Sequence, residues 1–327
     1  MKAFDVVALG ELLIDFTENG ESKQGNPLME ANPGGAPCNV LAMLNKLGKK
    51  TAFIGKVGND FFGQQLKEAV STSGTDVTNL VVDETVHTTL AFVHTLPDGD
   101  REFSFYRNPG ADMMLKKEEV MEDIIKGGRI FHFGTLSSTH EGVRAATRYA
   151  IDVAKNNGLL ISFDPNLRES LWQSLEDARK EIEYGLSKCD ILKISDNEME
   201  FMTGTTDYTK GVELLRESYE IPLIFVTLGK AGSRAYYKDM IVEVQPFLQA
   251  GTIETTGAGD TFEGCALNYV LEHGLENLTE DHLREMLIFA NAGAALVTTK
   301  KGAICSMPER REIVDLIDVG RNAIHQF

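Results

Sequence analysis

Cysteine is scarce and scattered. Cys38, Cys189, Cys265 and Cys305 share no CxxC spacing, so neither a disulfide framework nor a zinc-ligand set is expected in a chain of 327 residues. Free thiols in a reducing cytoplasm fit that pattern best. The histidines are equally dispersed and offer no metal-ligand spacing. No run approaches the roughly 18 apolar residues of a transmembrane helix, and the opening MKAFDVVALGELLIDF is interrupted by Glu11 and Asp15, which makes it a poor secretory signal. Basic residues are in deficit: 32 Lys and Arg face 49 Asp and Glu, for a formal net charge of −17. Such a surface repels phosphate backbones and argues against nucleic-acid or anionic-membrane partners. An anionic substrate would need a local positive site, helix N-termini or a bound cation. There is no G-x-x-x-x-G-K-[ST] loop, no G-x-S-x-G elbow and no Cys/His nucleophile pattern, which excludes the commonest P-loop and nucleophile-triad chemistries.

What is present is a regular alternation. Phe4 to Leu9, Thr51 to Val57, IFHFG, LLISFD (159–164), ILKIS (191–195) and LIFVTLG (223–229) read as short buried strands. Between them, helical spacing runs through 34–48, 61–73, 141–156 and 174–188. Pro37 suits the first turn of the earliest helix and Gly48 its C-terminus. This βα alternation predicts a mostly parallel sheet with helices on both faces, a three-layer α/β/α core. Two segments break the rhythm: residues 11–33, and residues 87–107, where two strand-like runs flank Pro-Asp-Gly-Asp at Pro97–Asp100. Together they are expected to form a small antiparallel β-sheet that covers one end of the core as a lid. The domains are therefore a core of 1–10, 34–86 and 108–327 and a lid of 11–33 and 87–107. Exposed lid edges suit a partner chain, so a homodimer through the lid sheet is expected.

The sharpest motif is Glu254–Phe262, ETTGAGDTF. Gly257, Ala258 and Gly259 let backbone N–H groups converge at a helix N-terminus, an arrangement that binds anions and developing phosphoryl charge. Asp260 sits beside those donors, placed to accept a proton from a hydroxyl. Gly34-Gly35-Ala36-Pro37-Cys38-Asn39 opens another helix, and Asn39 offers both donor and acceptor to a sugar hydroxyl. Asp15 follows the first strand. FDPNLR (163–168), SDNEME (195–200) and TLGKAG (227–232) are polar or Gly-rich strand exits. In an open α/β sheet, ligands bind outside such carboxyl ends.

GGAPCNVLAMLNKLG and ETTGAGDTF resemble the two signatures of the ribokinase-like (PfkB) carbohydrate kinases, in the expected order, and the resemblance covers essentially the whole chain. It implies phosphoryl transfer from MgATP to a sugar alcohol, with Asp260 as general base and the N–H groups of Gly257 to Asp260 as anion hole. Asn197 and Glu200 match the N-x-x-E element of the Mg²⁺ and phosphate region, with Glu200 reaching Mg²⁺ through water. Thr227, Gly229 and Gly232 resemble the nucleotide-binding stretch, and Asn291 the residue beside the adenine. Asp15, Gly34, Gly35 and Asn39 resemble sugar contacts. KKGAICSMP resembles a loop that closes a K⁺ site, with Ser306 and the carbonyls of Val297, Lys300 and Gly302 as candidate ligands beside Glu254 and Thr256; Glu254 departs from the usual Asp. Within the family, FYRNPGADMML (105–115) and FDPNLRESLW (163–172) look most like fructokinases, which makes Tyr106, Arg107 and Arg168 candidate contacts of sugar or transferred phosphate. Ribokinases, 2-keto-3-deoxygluconate kinases and nucleoside kinases are the alternatives. A dead sugar-binding homologue is opposed by the intact Asp260, and a dinucleotide-binding dehydrogenase by the late position of Gly257-x-Gly259.

Overall fold

The computed structural model describes residues 2–95, 101–249 and 251–324; the expected turn at Pro97–Asp100 lies outside them. In chain order the elements are β1 (Val6–Leu9), β2 (Leu13–Glu21), β3 (Pro27–Gly34), α1 (Ala36–Lys46), β4 (Thr51–Gly58), α2 (Phe61–Thr72), β5 (Asp76–Asp83), β6 (Leu90–Thr95) and β7 (Arg101–Tyr106). They continue with α3 (Glu122–Lys126), β8 (Ile130–Gly134), α4 (Glu141–Asn156), β9 (Leu160–Asp164), α5 (Leu175–Leu186), β10 (Ile191–Ser195), α6 (Asp196–Thr203) and α7 (Tyr208–Ser218). The last are β11 (Leu223–Thr227), β12 (Ser233–Tyr237), β13 (Met240–Val244), α8 (Ala258–His273), α9 (Glu280–Val297) and α10 (Arg310–Ile324).

Nine strands form one sheet in the order β13-β12-β11-β10-β9-β8-β1-β4-β5. All neighbours from β11 to β5 pair in parallel, and β12 and β13 close one edge antiparallel. Side chains alternate between the faces, as the period of two requires. Val6 and Ala8 join a core with Val40, Leu66, Leu267, Leu287 and Ile313 from α1, α2, α8, α9 and α10. Val7 and Leu9 join the opposite core, with Ile125, Val143, Ile182, Met199 and Val212 from α3 to α7. The expected three layers are present. Not anticipated were β5, the β12–β13 hairpin and the helices α3, α9 and α10. The hairpin turns at Lys238, which takes φ +52° without a glycine, so no Asn-Gly signal marks it.

A second, four-stranded sheet has the order β3-β2-β6-β7. β2 pairs antiparallel with β3 and β6 antiparallel with β7, but β2 and β6 run parallel. This sheet is mixed, not purely antiparallel as expected. The reason lies in the core: β2 and β6 follow β1 and β5, which point the same way through β4, so each carries that direction outward.

Candidate active site

The carboxyl ends of β9, β10 and β11, the loop after β1 and the N-termini of α1 and α8 surround a cavity of about 640 Å³. The small sheet forms its roof. Leu13 and Asp15 from β2 and Phe103 and Phe105 from β7 line it, because odd-numbered positions of those strands share one face. Even-numbered Phe92 and Tyr106 meet on the other face, with ring centroids 5.2 Å apart.

Asp260 stands in the first turn of α8, after Gly257, which caps the helix in the left-handed region at φ +78°. A Cβ there would approach the Cβ of Ala303 to 2.7 Å, so the turn tolerates only glycine. Asn39 Nδ2, from α1, donates to Asp260 Oδ2 at 2.7 Å; Oδ1 accepts no hydrogen bond among the described residues. Burial pushes the Asp260 carboxyl up to about 6, helped by the negative charge of Asp164 and opposed by the Asn39 hydrogen bond and the charges of Lys193 and Arg168. A base tuned to that value is ionised at neutral pH and still accepts a proton readily.

Beneath it lies a buried polar stack. Lys193, from β10, donates to Asp164 Oδ2 at the end of β9 over 2.9 Å. Ser162 Oγ donates to Glu263 Oε1 at 2.7 Å, and His132 Nδ1 lies 2.9 Å from the same hydroxyl. Burial raises the Glu263 carboxyl to about 8 and lowers the His132 imidazole to about 3, so both are neutral near pH 7. Glu11, after β1, accepts from the Ala36 N–H at 2.8 Å and caps α1; burial lifts its carboxyl to about 7.

The expected site residues divide. Asp15, Gly35, Asn39, Arg168, Thr227, Gly229, Gly232, Thr256, Gly257, Ala258, Gly259, Asp260 and Asn291 line the one cavity. Gly34 stays outside the lining, but a Cβ there would collide with the Asp15 carboxylate, so its role is to admit Asp15. The Asn291 amide accepts from Ser233 Oγ and donates to the carbonyls of Val244 and Gln245; it fixes α9 to the sheet edge and presents a wall, not a free amide. Arg168 lies 5.3 Å from the Phe103 ring centroid and links core to roof.

Four expectations are corrected. Arg107 does not line the cavity: its guanidinium is buried against Asp112 and donates to Thr139 Oγ1 and the Leu136 carbonyl. Tyr106 is 68% exposed on the outer face of the small sheet. Asn197 and Glu200 are exposed on α6, outside the cavity lining. The buried residue there is Glu198, which takes the N–H groups of Leu167 and Ser195 at 2.7 and 2.8 Å. The same three-residue spacing, read from Ser195, reaches Glu198, and burial decides between the two registers.

Glu254 lies three residues before the Gly257 turn, its N–H donating to the Thr298 carbonyl at the end of α9. Its Oε1 is buried without a hydrogen-bond partner. Val297, Lys300, Gly302 and Ser306 belong to the adjoining helix end and loop; the Lys300 ammonium is engaged with Glu312, and Ser306 Oγ with the Lys301 carbonyl. No group of three or more His, Cys, Asp or Glu side chains among the described residues could hold a metal ion, and no described helix is long and apolar enough to cross a membrane. Sequence reasoning missed Lys193, Glu198, Glu11 and Glu263. Each is a charged residue within an apolar run or beside a strand end, which was the available signal.

A three-layer α/β/α core, a Gly-turned helix N-terminus with its carboxylate and a sheet roofing the cavity together define a phosphotransferase fold of the ribokinase-like class. The pfkB family carbohydrate kinase model matches residues 3–310, and the chain belongs to that family. Fructokinase-1 of Zea mays is 42% identical over 315 residues, spanning 96% of this chain and 97% of the relative. Fructokinase with bound ATP from Xylella fastidiosa superposes with a TM-score of 0.86 at 28% identity, over 97% of this chain and 99% of that one. Fructokinase from Vibrio cholerae O395, in its fructose, ADP and calcium ion bound form, gives a TM-score of 0.86 at 29% identity, over 96% and 99%.

Proposed function

We propose that this chain is an ATP-dependent fructokinase that converts D-fructose to fructose 6-phosphate, with Asp260 as general base. The observation that carries the reading is Asp260 beside the N–H groups of the Gly257–Gly259 turn, at the floor of a cavity roofed by β2 and β7. All of Asp15, Gly35, Asn39, Thr227, Gly229, Gly232 and Asn291 line the cavity; in this reading the first three contact the sugar and the last four the nucleotide. Asp260 Oδ1 takes the proton of the sugar's primary hydroxyl as its oxygen forms a bond to the γ-phosphorus. The bond from that phosphorus to the β–γ bridging oxygen breaks, ADP departs, and the proton leaves Asp260 for solvent. The backbone N–H groups of the turn hold the charge on the transferred group, and Arg168 meets its oxygens.

Mg²⁺ bound with the nucleotide would supply charge compensation for the phosphates; Glu198, in the cavity wall, is the residue that would hold it, in place of Glu200. The unpartnered buried Glu254 oxygen fits a bound K⁺, since a buried carboxylate without a donor is costly. Thr256, Ser306 and the carbonyls of Val297, Lys300 and Gly302 complete that candidate set. The small sheet acts as the lid, and its outer aromatic face joins a second copy in a cytoplasmic homodimer. A coupled ADP-release assay over a sugar panel tests the reading: fructose should be turned over fastest. Ribose or ketodeoxygluconate far ahead of it would overturn the substrate.

A further inference from the structure

Two cationic side chains, Lys193 and Arg168, line the cavity against the carboxyl groups of Glu11, Asp15, Asp196, Glu198 and Asp260. A site with that balance must nonetheless admit a triphosphate. The two cations are held differently. Arg168 lies on a loop and packs on Phe103 of the roof. Lys193 lies inside the sheet, 7% exposed, and its ammonium is pinned by Asp164, itself 2% exposed. A Cβ built on Gly259 would stand 3.0 Å from Lys193 Nζ, so the ammonium is the neighbour that the side-chain face of Gly259 looks onto. An ammonium carries three donors, and among the described residues Nζ makes a hydrogen bond to Asp164 alone.

We infer that Lys193, pinned by Asp164, is a positioning residue for phosphoryl transfer, holding a fixed positive charge under the Gly257–Gly259 turn, between the base and the place of the incoming phosphate. The inference rests on Asp260 being the base. Lys193 does two things from that place. It keeps Asp260 ionised, and it adds to the turn's backbone donors a charge that is present before the roof closes. Removing a buried partner of one sign while leaving the other unbalances the site strongly. The groups facing Asp260 are Asn39 from α1, Asp164 from β9, Arg168 from the following loop, Lys193 from β10 and Glu263 from its own helix. Glu263 is neutral near pH 7 and so contributes little field there. Lys193 and Asp164 therefore act on Asp260 with opposite signs.

The test is the pH profile of kcat/KM for fructose at saturating MgATP in Lys193→Met, Lys193→Arg and Asp164→Asn. A charge within about 4–6 Å moves a carboxyl by roughly 1–3 pH units. Lys193→Met should move the acid limb up by about one unit or more and raise KM for ATP. Asp164→Asn should move the limb down, and Lys193→Arg should keep it near the wild-type position. If Lys193→Met does not fold, as judged by circular dichroism, the opposite shift in Asp164→Asn and the retained limb in Lys193→Arg carry the test. Asp260→Asn separates the two levels. If it leaves the acid limb in place, the base assignment fails. If it abolishes the limb while neither Lys193→Met nor Asp164→Asn moves it, the role of Lys193 is overturned and the pair only supports the fold.

Discussion

Asn39 and Asp260 are 221 positions apart in the chain, and the amide of one meets the carboxylate of the other at 2.7 Å. The bond joins the N-terminal turns of α1 and α8, the two helices whose glycine-opened ends form the site. It also occupies Oδ2, so Asp260 presents its other oxygen to the cavity.

Asn39→Leu should therefore weaken catalysis in a pH-dependent way. The amide lowers the Asp260 carboxyl from the value burial alone would give. Without it, Asp260 is protonated at higher pH, and the acid limb of kcat/KM, expected near 6 in the wild type, moves upward. Activity falls as pH drops through that limb because the protonated acid cannot accept the sugar's proton. Asp260→Asn removes the base outright and should cost about 10²–10⁴ in kcat. Steady-state rates from pH 5 to 9 check both; an Asn39→Leu limb at the wild-type position would contradict the first.

Gly259→Val should abolish turnover with little change in fold. The nearest atom to an added Cβ is the pinned Lys193 ammonium at 3.0 Å, and two further methyl groups would fill the space that the phosphate needs. Fructose binding by calorimetry, set against a lost ADP signal, separates a blocked phosphate site from a misfolded chain.

Arg107→Ala should act on stability and not on substrate recognition. Its guanidinium forms a buried ion pair with Asp112 at 2.7 Å. Breaking such a pair from one side costs about 3–5 kcal/mol, readable as a lower urea midpoint. The KM for fructose should stay close to wild type in the fraction that remains folded; a KM rise of a hundredfold with unchanged stability would return Arg107 to the sugar site.

Glu263→Gln should flatten the stability curve between about pH 4.5 and 8. The Glu263 carboxyl is raised from 4.5 to about 8 in the folded state. Between those values the folded chain holds a proton that the unfolded chain has lost, so the acid's contribution is fullest below about 4.5 and is lost as pH rises towards 8. Glutamine keeps the shape and removes that loss. Denaturation midpoints at pH 5, 7 and 9 should fall less steeply in the variant; identical slopes would show that Glu263 is not protonated at neutral pH.

Fructose should slow hydrogen exchange in β2 and in β6–β7 together, because Asp15 and Phe105 line the cavity from the same roof. ATP alone should protect 227–232 and the Asn291 region first. Unchanged exchange in both strands at saturating fructose, with binding confirmed, would remove the closing role of the small sheet.

The core was legible because its pattern is physical: short apolar strands buried on both faces, helices of one-sided periodicity, and glycine or proline at their ends. β1, β4, β8, β9, β10 and β11 all fall within a few residues of their expected places. β5, with its mixed DVTNLVVD, and β12–β13, with a turn made by Lys238-Asp239, carry weak local signals and were missed. The glycine turn and the place of Asp260 beside it were legible because a left-handed φ and a close neighbour constrain residue type. Arg107, Tyr106 and Glu200 were misplaced because a residue's type does not say which face it occupies. Arg107 has an acid five residues on, in Asp112, and satisfies it. Lys193 was passed over because one lysine in ILKIS reads as an ordinary strand residue until Asp164 arrives from the neighbouring strand.

The parallel junction of β2 with β6 has a consequence for how the chain assembles. Each hairpin of the roof is local, but Ile14 pairs with Leu90 across the whole β3–α1–β4–α2–β5 stretch. That contact closes a long loop and returns nothing until both anchors, β1 and β5, are already seated beside β4. Late-paying contacts of this kind form after local ones and open before them. The roof is thus the portion of the molecule whose seating depends most on the rest being in place, and it is also the portion that covers the cavity.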